Sequence, residues 1–89
     1  MDRVTIIIRG RVQGVFFRHS ARVNTKQLGI TGWIHNKDDD SVQICAEGKH
    51  SELEQFIARC HTGPPLARVD SVEVRWERAT GEFSSFQIL

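Results

Sequence analysis

Short apolar runs and helical-period stripes alternate along the chain, and their order predicts the fold. Val4-Thr5-Ile6-Ile7-Ile8-Arg9 is rich in β-branched residues and apolar enough for a strand inside a sheet. Gly10-Arg11-Val12-Gln13-Gly14 breaks that pattern with two glycines. Phe17, Ala21, Asn24 and Leu28 then recur at helical spacing, with Gly29 placed to end the helix. Residues 30–36 read as a second strand, Asp38-Asp39-Asp40 as a turn, and residues 41–47 as a third strand in which Val42, Ile44 and Ala46 share one face. A second helix is expected to open with a capping box, Ser51 capping the Glu54 amide while the Glu54 side chain reaches back. Its core stripe is Leu53, Phe56, Ile57 and Cys60, and it closes at Gly63 before Pro64-Pro65. Val72, Val74 and Trp76 alternate in a fourth strand, and Phe86 and Ile88 in a terminal one.

This order predicts an α+β fold: a ferredoxin-like βαββαβ sandwich, an antiparallel sheet with two helices on one face and a short extra C-terminal strand. One consequence bears on function. Strands one and two are joined by a helical crossover, so they run parallel and their carboxyl ends share a rim. The loop after strand one runs to Arg18, and strand two ends at Asn36. The two residues are therefore expected at one site, on neighbouring strand ends.

Composition narrows the class. With 89 residues the chain supports one domain, residues 1–89, and no second core. A net charge of +1 lacks the basic footprint of a protein held to nucleic acid mainly by charge. No apolar run approaches the ~20 residues of a membrane span, and Met1-Asp2-Arg3 does not begin a secretory signal. The expectation is a cytoplasmic monomer with no nucleic-acid or membrane partner. Cys45 points away from the helix-covered face while Cys60 lies on the helix stripe, so the sheet should separate the sulfurs and leave both thiols free. The four histidines, His19, His35, His50 and His61, show no ligand spacing. The three adjacent aspartates diverge as neighbours in a turn do, so no metal is expected. Phe17, Trp33, Trp76 and Phe86 are expected in the core or on sheet faces, and the open face of strand three offers Gln43, Cys45 and Glu47, not base-stacking aromatics.

The strand-to-helix junction at residues 10–18 holds the candidate chemistry. Such a junction leaves backbone N–H groups unpaired at the positive end of a helix dipole, and glycine lets successive amides turn inward. Arg18 adds a planar cation that pairs two oxygens at once. On spacing alone, a tight turn with a solvated arginine explains the loop as well as a phosphate site does. The loop is not a Walker A motif, because no Gly-Lys-[Ser/Thr] closes it. Nor does a Cys-x₅-Arg phosphatase motif occur, since Ser51 and Leu66 stand six residues after Cys45 and Cys60.

Gly-Arg-Val-Gln-Gly-Val-Phe-Phe-Arg at 10–18 closely resembles the signature of the acylphosphatase family, as does Gly32-Trp33-Ile34-His35-Asn36. Ala46-Glu47-Gly48 and Gly63-Pro64-Pro65-Leu66-Ala67-Arg68-Val69 resemble two further family segments in the same order. The resemblance implies hydrolysis of the carboxyl-phosphate bond of small acyl phosphates without cofactor or metal, with inorganic phosphate or sulfate as product or inhibitor anion. It further implies that Arg18 and the backbone amides of Gln13, Gly14, Val15, Phe16, Phe17 and Arg18 bind the phosphoryl group, and that Asn36 holds the attacking water. The chain departs from the family pattern at Phe16, where many members carry glycine, and at Asp40-Ser41, which replaces an Asp-Gly turn. A non-catalytic acylphosphatase-like module, such as the amino-terminal one of hydrogenase-maturation carbamoyltransferases, is the rival reading.

Overall fold

In the computed structural model, which describes residues 1–89, five strands and two helices follow one another. They are β1 (Asp2–Arg11), α1 (Phe17–Leu28), β2 (Thr31–Asn36), β3 (Val42–Gly48), α2 (His50–Thr62), β4 (Arg68–Arg78) and β5 (Phe86–Ile88). The sheet order is β4-β1-β3-β2-β5. β1 pairs antiparallel with β3 and β4, and β2 pairs antiparallel with β3, while β5 lies parallel to β2. The sheet is therefore mixed, through its last short strand. β1 and β2 run parallel as expected but are not neighbours, because β3 fills the slot that the helical crossover leaves between them.

Period-two patterning explains the core. Ile6 faces Ile44 across one ladder and Val74 across the other, with Val4–Ala46 and Ile8–Val42 as flanking pairs. These β1 and β3 residues bury completely beneath Leu53, Phe56 and Cys60 of α2 and Phe17 and Ala21 of α1. Thr25 takes the buried place on α1, and Asn24 instead accepts a hydrogen bond from Arg59 of α2 at 3.0 Å. The stripe steps by four where a spacing of three was expected.

Three local expectations change. The strand does not break at Gly10; it passes through a bulge there and continues to Arg11. Gly10 has φ 135°, and a Cβ at this position would overlap the Arg68 carbonyl oxygen, so only glycine lets β4 approach so closely. α2 starts at His50, one residue before the proposed cap; Lys49 occupies the cap position in extended geometry without a side-chain hydrogen bond. Its carbonyl accepts the Leu53 amide at 2.9 Å, while Glu54 turns to His50 at 3.2 Å. Finally, Cys45 and Glu47 are buried on the face read as open. The segment after β4 folds over that end of the sheet, where Glu47 accepts from the amides of Thr80 (2.9 Å) and Gly81 (3.1 Å) and from Arg3 Nε (2.8 Å). Both cysteines are free. No helix is long and apolar enough to cross a membrane.

Candidate active site

The site begins where β1 runs out. Residues 12–16 leave the sheet after Arg11 and lead into α1 at Phe17. Gly14 has φ 72° and Phe16 has φ 67°, both left-handed. Alternation of left-handed residues with ordinary ones curls a chain into a concave nest whose N–H groups point inward. None of the amides of Gln13, Gly14, Val15, Phe16, Phe17 and Arg18 donates to any acceptor in the protein. For the last two this follows from helix geometry, since a first turn has no preceding carbonyls. For the first four it follows from the loop. Six consecutive donors therefore point at no protein group.

Left-handed backbone suits Gly14, which has open space around it. It costs a residue with a Cβ about 1–2 kcal/mol, and Phe16 bears that cost with its side chain in solvent, 71% exposed. Phe17, next in sequence, is buried to 3% and anchors the loop in the core. The two adjacent phenylalanines thus have opposite environments.

Arg18 stands in the first turn of α1, where its guanidinium Nη1 donates to the carbonyl oxygen of Leu89 at 3.3 Å. Leu89 is held in turn by its amide on the Ile34 carbonyl at 2.9 Å. No Asp or Glu side chain pairs with Arg18, in contrast to Arg3, Arg9 and Arg68. Arg18 lines a depression of about 300 Å³ together with Gly14, Phe16, His19 and Ile88. Arg18, part of the loop and the exposed residue Phe16 share this space.

Asn36 ends β2 opposite Val42 of β3 and does not line that depression. Its side-chain oxygen is buried and has no hydrogen-bond partner in the protein, the one side-chain atom in that condition. Buried acceptors without partners are rare, because each forfeits the hydration it had in the unfolded chain. The loop and the Asn36 strand end are tied by a contact the sequence reading missed. Gln13 Nε2 donates to the carbonyl oxygens of Lys37 (2.8 Å) and Ser41 (2.9 Å), the two residues that close the β2–β3 hairpin. Gln13 was expected to contribute its backbone amide only. Its side chain has a separate task, and nothing local in the sequence marks it.

The hairpin turn is built around the aspartates. Asp40 takes φ 70°, the conformation that a glycine at the next position would otherwise supply, and Asp39 accepts from the Ser41 amide at 3.1 Å. Hydrogen bonds from the Ser41 hydroxyl and amide hold the Asp39 carboxyl below the ordinary aspartate range. Around the sheet, Trp33 meets His35 edge-on at 5.2 Å, and Trp76 stacks on His50 at 4.5 Å.

The family model described as acylphosphatase matches residues 4–88. An acylphosphatase of Roseiflexus sp. (strain RS-1) is 44% identical over 89 residues, covering all of this chain and 96% of the relative. Among solved structures, acylphosphatase from Bacillus subtilis superposes with a TM-score of 0.97 at 34% identity, covering 100% of this chain and 99% of that one. Full-length HypF in a phosphate- and nucleotide-bound form gives a TM-score of 0.88 at 27% identity, with this chain spanning 12% of its length.

Proposed function

Since this chain belongs to the acylphosphatase family and is a hydrolase of the carboxyl-phosphate bond, we propose that Arg18 and the nest of residues 13–18 bind the phosphoryl group and that Asn36 holds the attacking water. The observation that carries the reading is the run of six backbone donors without acceptors beside an arginine with no Asp or Glu partner. A tetrahedral dianion satisfies both at once: amides and guanidinium converge on its equatorial oxygens, and the helix dipole adds to their field. The unpartnered Oδ1 of Asn36 is an acceptor for one hydrogen of a water, leaving a lone pair of that water free to attack phosphorus.

The chemistry requires little beyond this. Cleavage of the P–O bond expels a carboxylate whose conjugate acid has a pKa of about 4, so the leaving group needs no general acid. What the protein supplies is charge neutralisation and alignment, the two contributions that dominate phosphoryl transfer. The water's proton passes to a phosphoryl oxygen of the substrate, which accounts for the lack of a side-chain base in the assignment. No metal or cofactor has a role in this scheme. Residues 1–89 act as one monomeric catalytic domain in the cytoplasm, on a small acyl phosphate, with phosphate as product and competing anion.

The test uses benzoyl phosphate and two variants. Arg18→Ala is expected to abolish turnover and also inhibition by inorganic phosphate, because one charge serves both. Asn36→Ala is expected to keep phosphate inhibition while kcat falls by about 10²-fold, the size of effect seen when one positioned hydrogen bond is lost. Normal turnover in Asn36→Ala would end the water-holding assignment. Phosphate binding without any hydrolysis by the unmodified protein would instead favour a non-catalytic module.

A further inference from the structure

Phe16 is the residue in the loop that phosphate binding does not explain. The nest needs a left-handed backbone at this position, and glycine would provide it without strain. The chain instead places a bulky aromatic there, and the side chain recovers little by packing, being 71% exposed. Asp40 is the other non-glycine residue with positive φ, and it is a small polar residue of the kind that tolerates this geometry. An aromatic held in strain and in water next to a binding loop calls for a partner that arrives with the ligand.

The depression indicates which part of the ligand that is. Arg18 and His19 line it, and so do Phe16 and Ile88, giving a polar region and an apolar one in a space of about 300 Å³. A phosphoryl group seated on Arg18 and the amides uses the polar region. The acyl group, joined to it through the bridging oxygen, must leave along the remaining walls. We infer that Phe16 is a specificity-determining residue, its ring serving as the platform on which an apolar acyl group packs, so that acyl phosphates with aromatic or branched acyl groups are favoured over acetyl phosphate. The inference rests on the assignment of the phosphoryl group to this loop.

The experiment compares kcat/KM for benzoyl phosphate and acetyl phosphate in the unmodified protein, Phe16→Gly and Phe16→Leu, with inorganic phosphate as competitor against both substrates. The ratio of benzoyl to acetyl kcat/KM is expected to fall about five- to tenfold in Phe16→Gly, the size of an aromatic contact made in one complex and not the other, and by less in Phe16→Leu. The thermal midpoint of Phe16→Gly is expected to be no lower than that of the unmodified protein, because backbone strain is relieved and no core contact is lost. An unchanged ratio, or an equal fall for both substrates, overturns the inference while leaving the phosphate site standing. Failure of phosphate to compete with either substrate in the unmodified protein overturns the site assignment itself.

Discussion

The Gln13 side chain offers the sharpest test of how the site is assembled. Its amide donates twice, to the carbonyls of Lys37 and Ser41, and so couples the loop of residues 12–16 to the hairpin that follows Asn36. Gln13→Ala removes both hydrogen bonds. Each neutral bond contributes about 0.5–1.5 kcal/mol. The upper end of their sum is not reached, because neither acceptor is left bare. The Ser41 carbonyl keeps the Lys37 amide at 2.8 Å, and the Lys37 carbonyl keeps the Asp40 amide at 3.2 Å. The expected destabilisation is therefore about 1–2 kcal/mol, a drop of roughly 5–15 °C in Tm for a domain of this size. A kinetic effect should accompany the thermodynamic one. On the proposed assignment, a water held by Asn36 must be aligned with a phosphorus held by the loop, and a displacement of about 1 Å between them costs about 10²-fold in rate. In a purified variant below its melting range, kcat on benzoyl phosphate should fall at least tenfold, more than the inhibition constant for phosphate rises. Gln13→Glu should be worse on both counts, since a carboxylate would face two carbonyl oxygens. Full kcat in Gln13→Ala, with Tm lowered, would refute the view that this contact aligns the two halves of the site.

Three other predictions concern the frame around the site. Burial alone would raise the Glu47 carboxyl, but the Thr80 amide, the Arg3 guanidinium and the Gly81 amide outweigh it and hold the group below the ordinary glutamate range. Its stabilisation is then fully present above the unfolded glutamate pKa of about 4.3 and is lost as pH falls through the lower folded value. Glu47→Gln should cost about 2–3 kcal/mol at neutral pH and flatten the acid limb of a stability–pH curve, and an unaltered limb would count against the clamp. Gly10→Ala should destabilise by about 3 kcal/mol or more in urea unfolding, because its Cβ overlaps the Arg68 carbonyl at a bulge; a loss below about 1 kcal/mol would show that β4 can move away. Burial pushes the Cys60 thiol up to about 12 and also raises Cys45, so neither should react with a disulfide reagent at pH 8 until the protein is unfolded.

Local physics made most of the architecture legible from residues alone. Alternation at Val42, Ile44 and Ala46, the stripe at Leu53, Phe56 and Cys60, and the left-handed Gly29 each report a backbone geometry that neighbours within a few positions impose. Element order then dictated parallel β1 and β2, and with it a shared rim for Arg18 and Asn36. The nine-residue loop was specific enough to name the family. Positions that local patterns misread were those where a distant segment intervenes. Gly10 looked like a break because its partner, the Arg68 carbonyl, lies far along the chain, and Ser51 looked like a cap because the path out of β3 is not written beside it.

What the folded molecule alone decided are the pairings between residues far apart in sequence. Gln13 finds the hairpin carbonyls, Glu47 finds the amides beyond β4, and Arg18 meets the end of β5. No propensity encodes these, because each depends on where two separately formed elements come to rest after the core has packed. The same holds for groups without partners. That six amides and one carboxamide oxygen stay unpaired, and that Phe16 is exposed while Phe17 is buried, becomes visible only when every competing partner has a position in space.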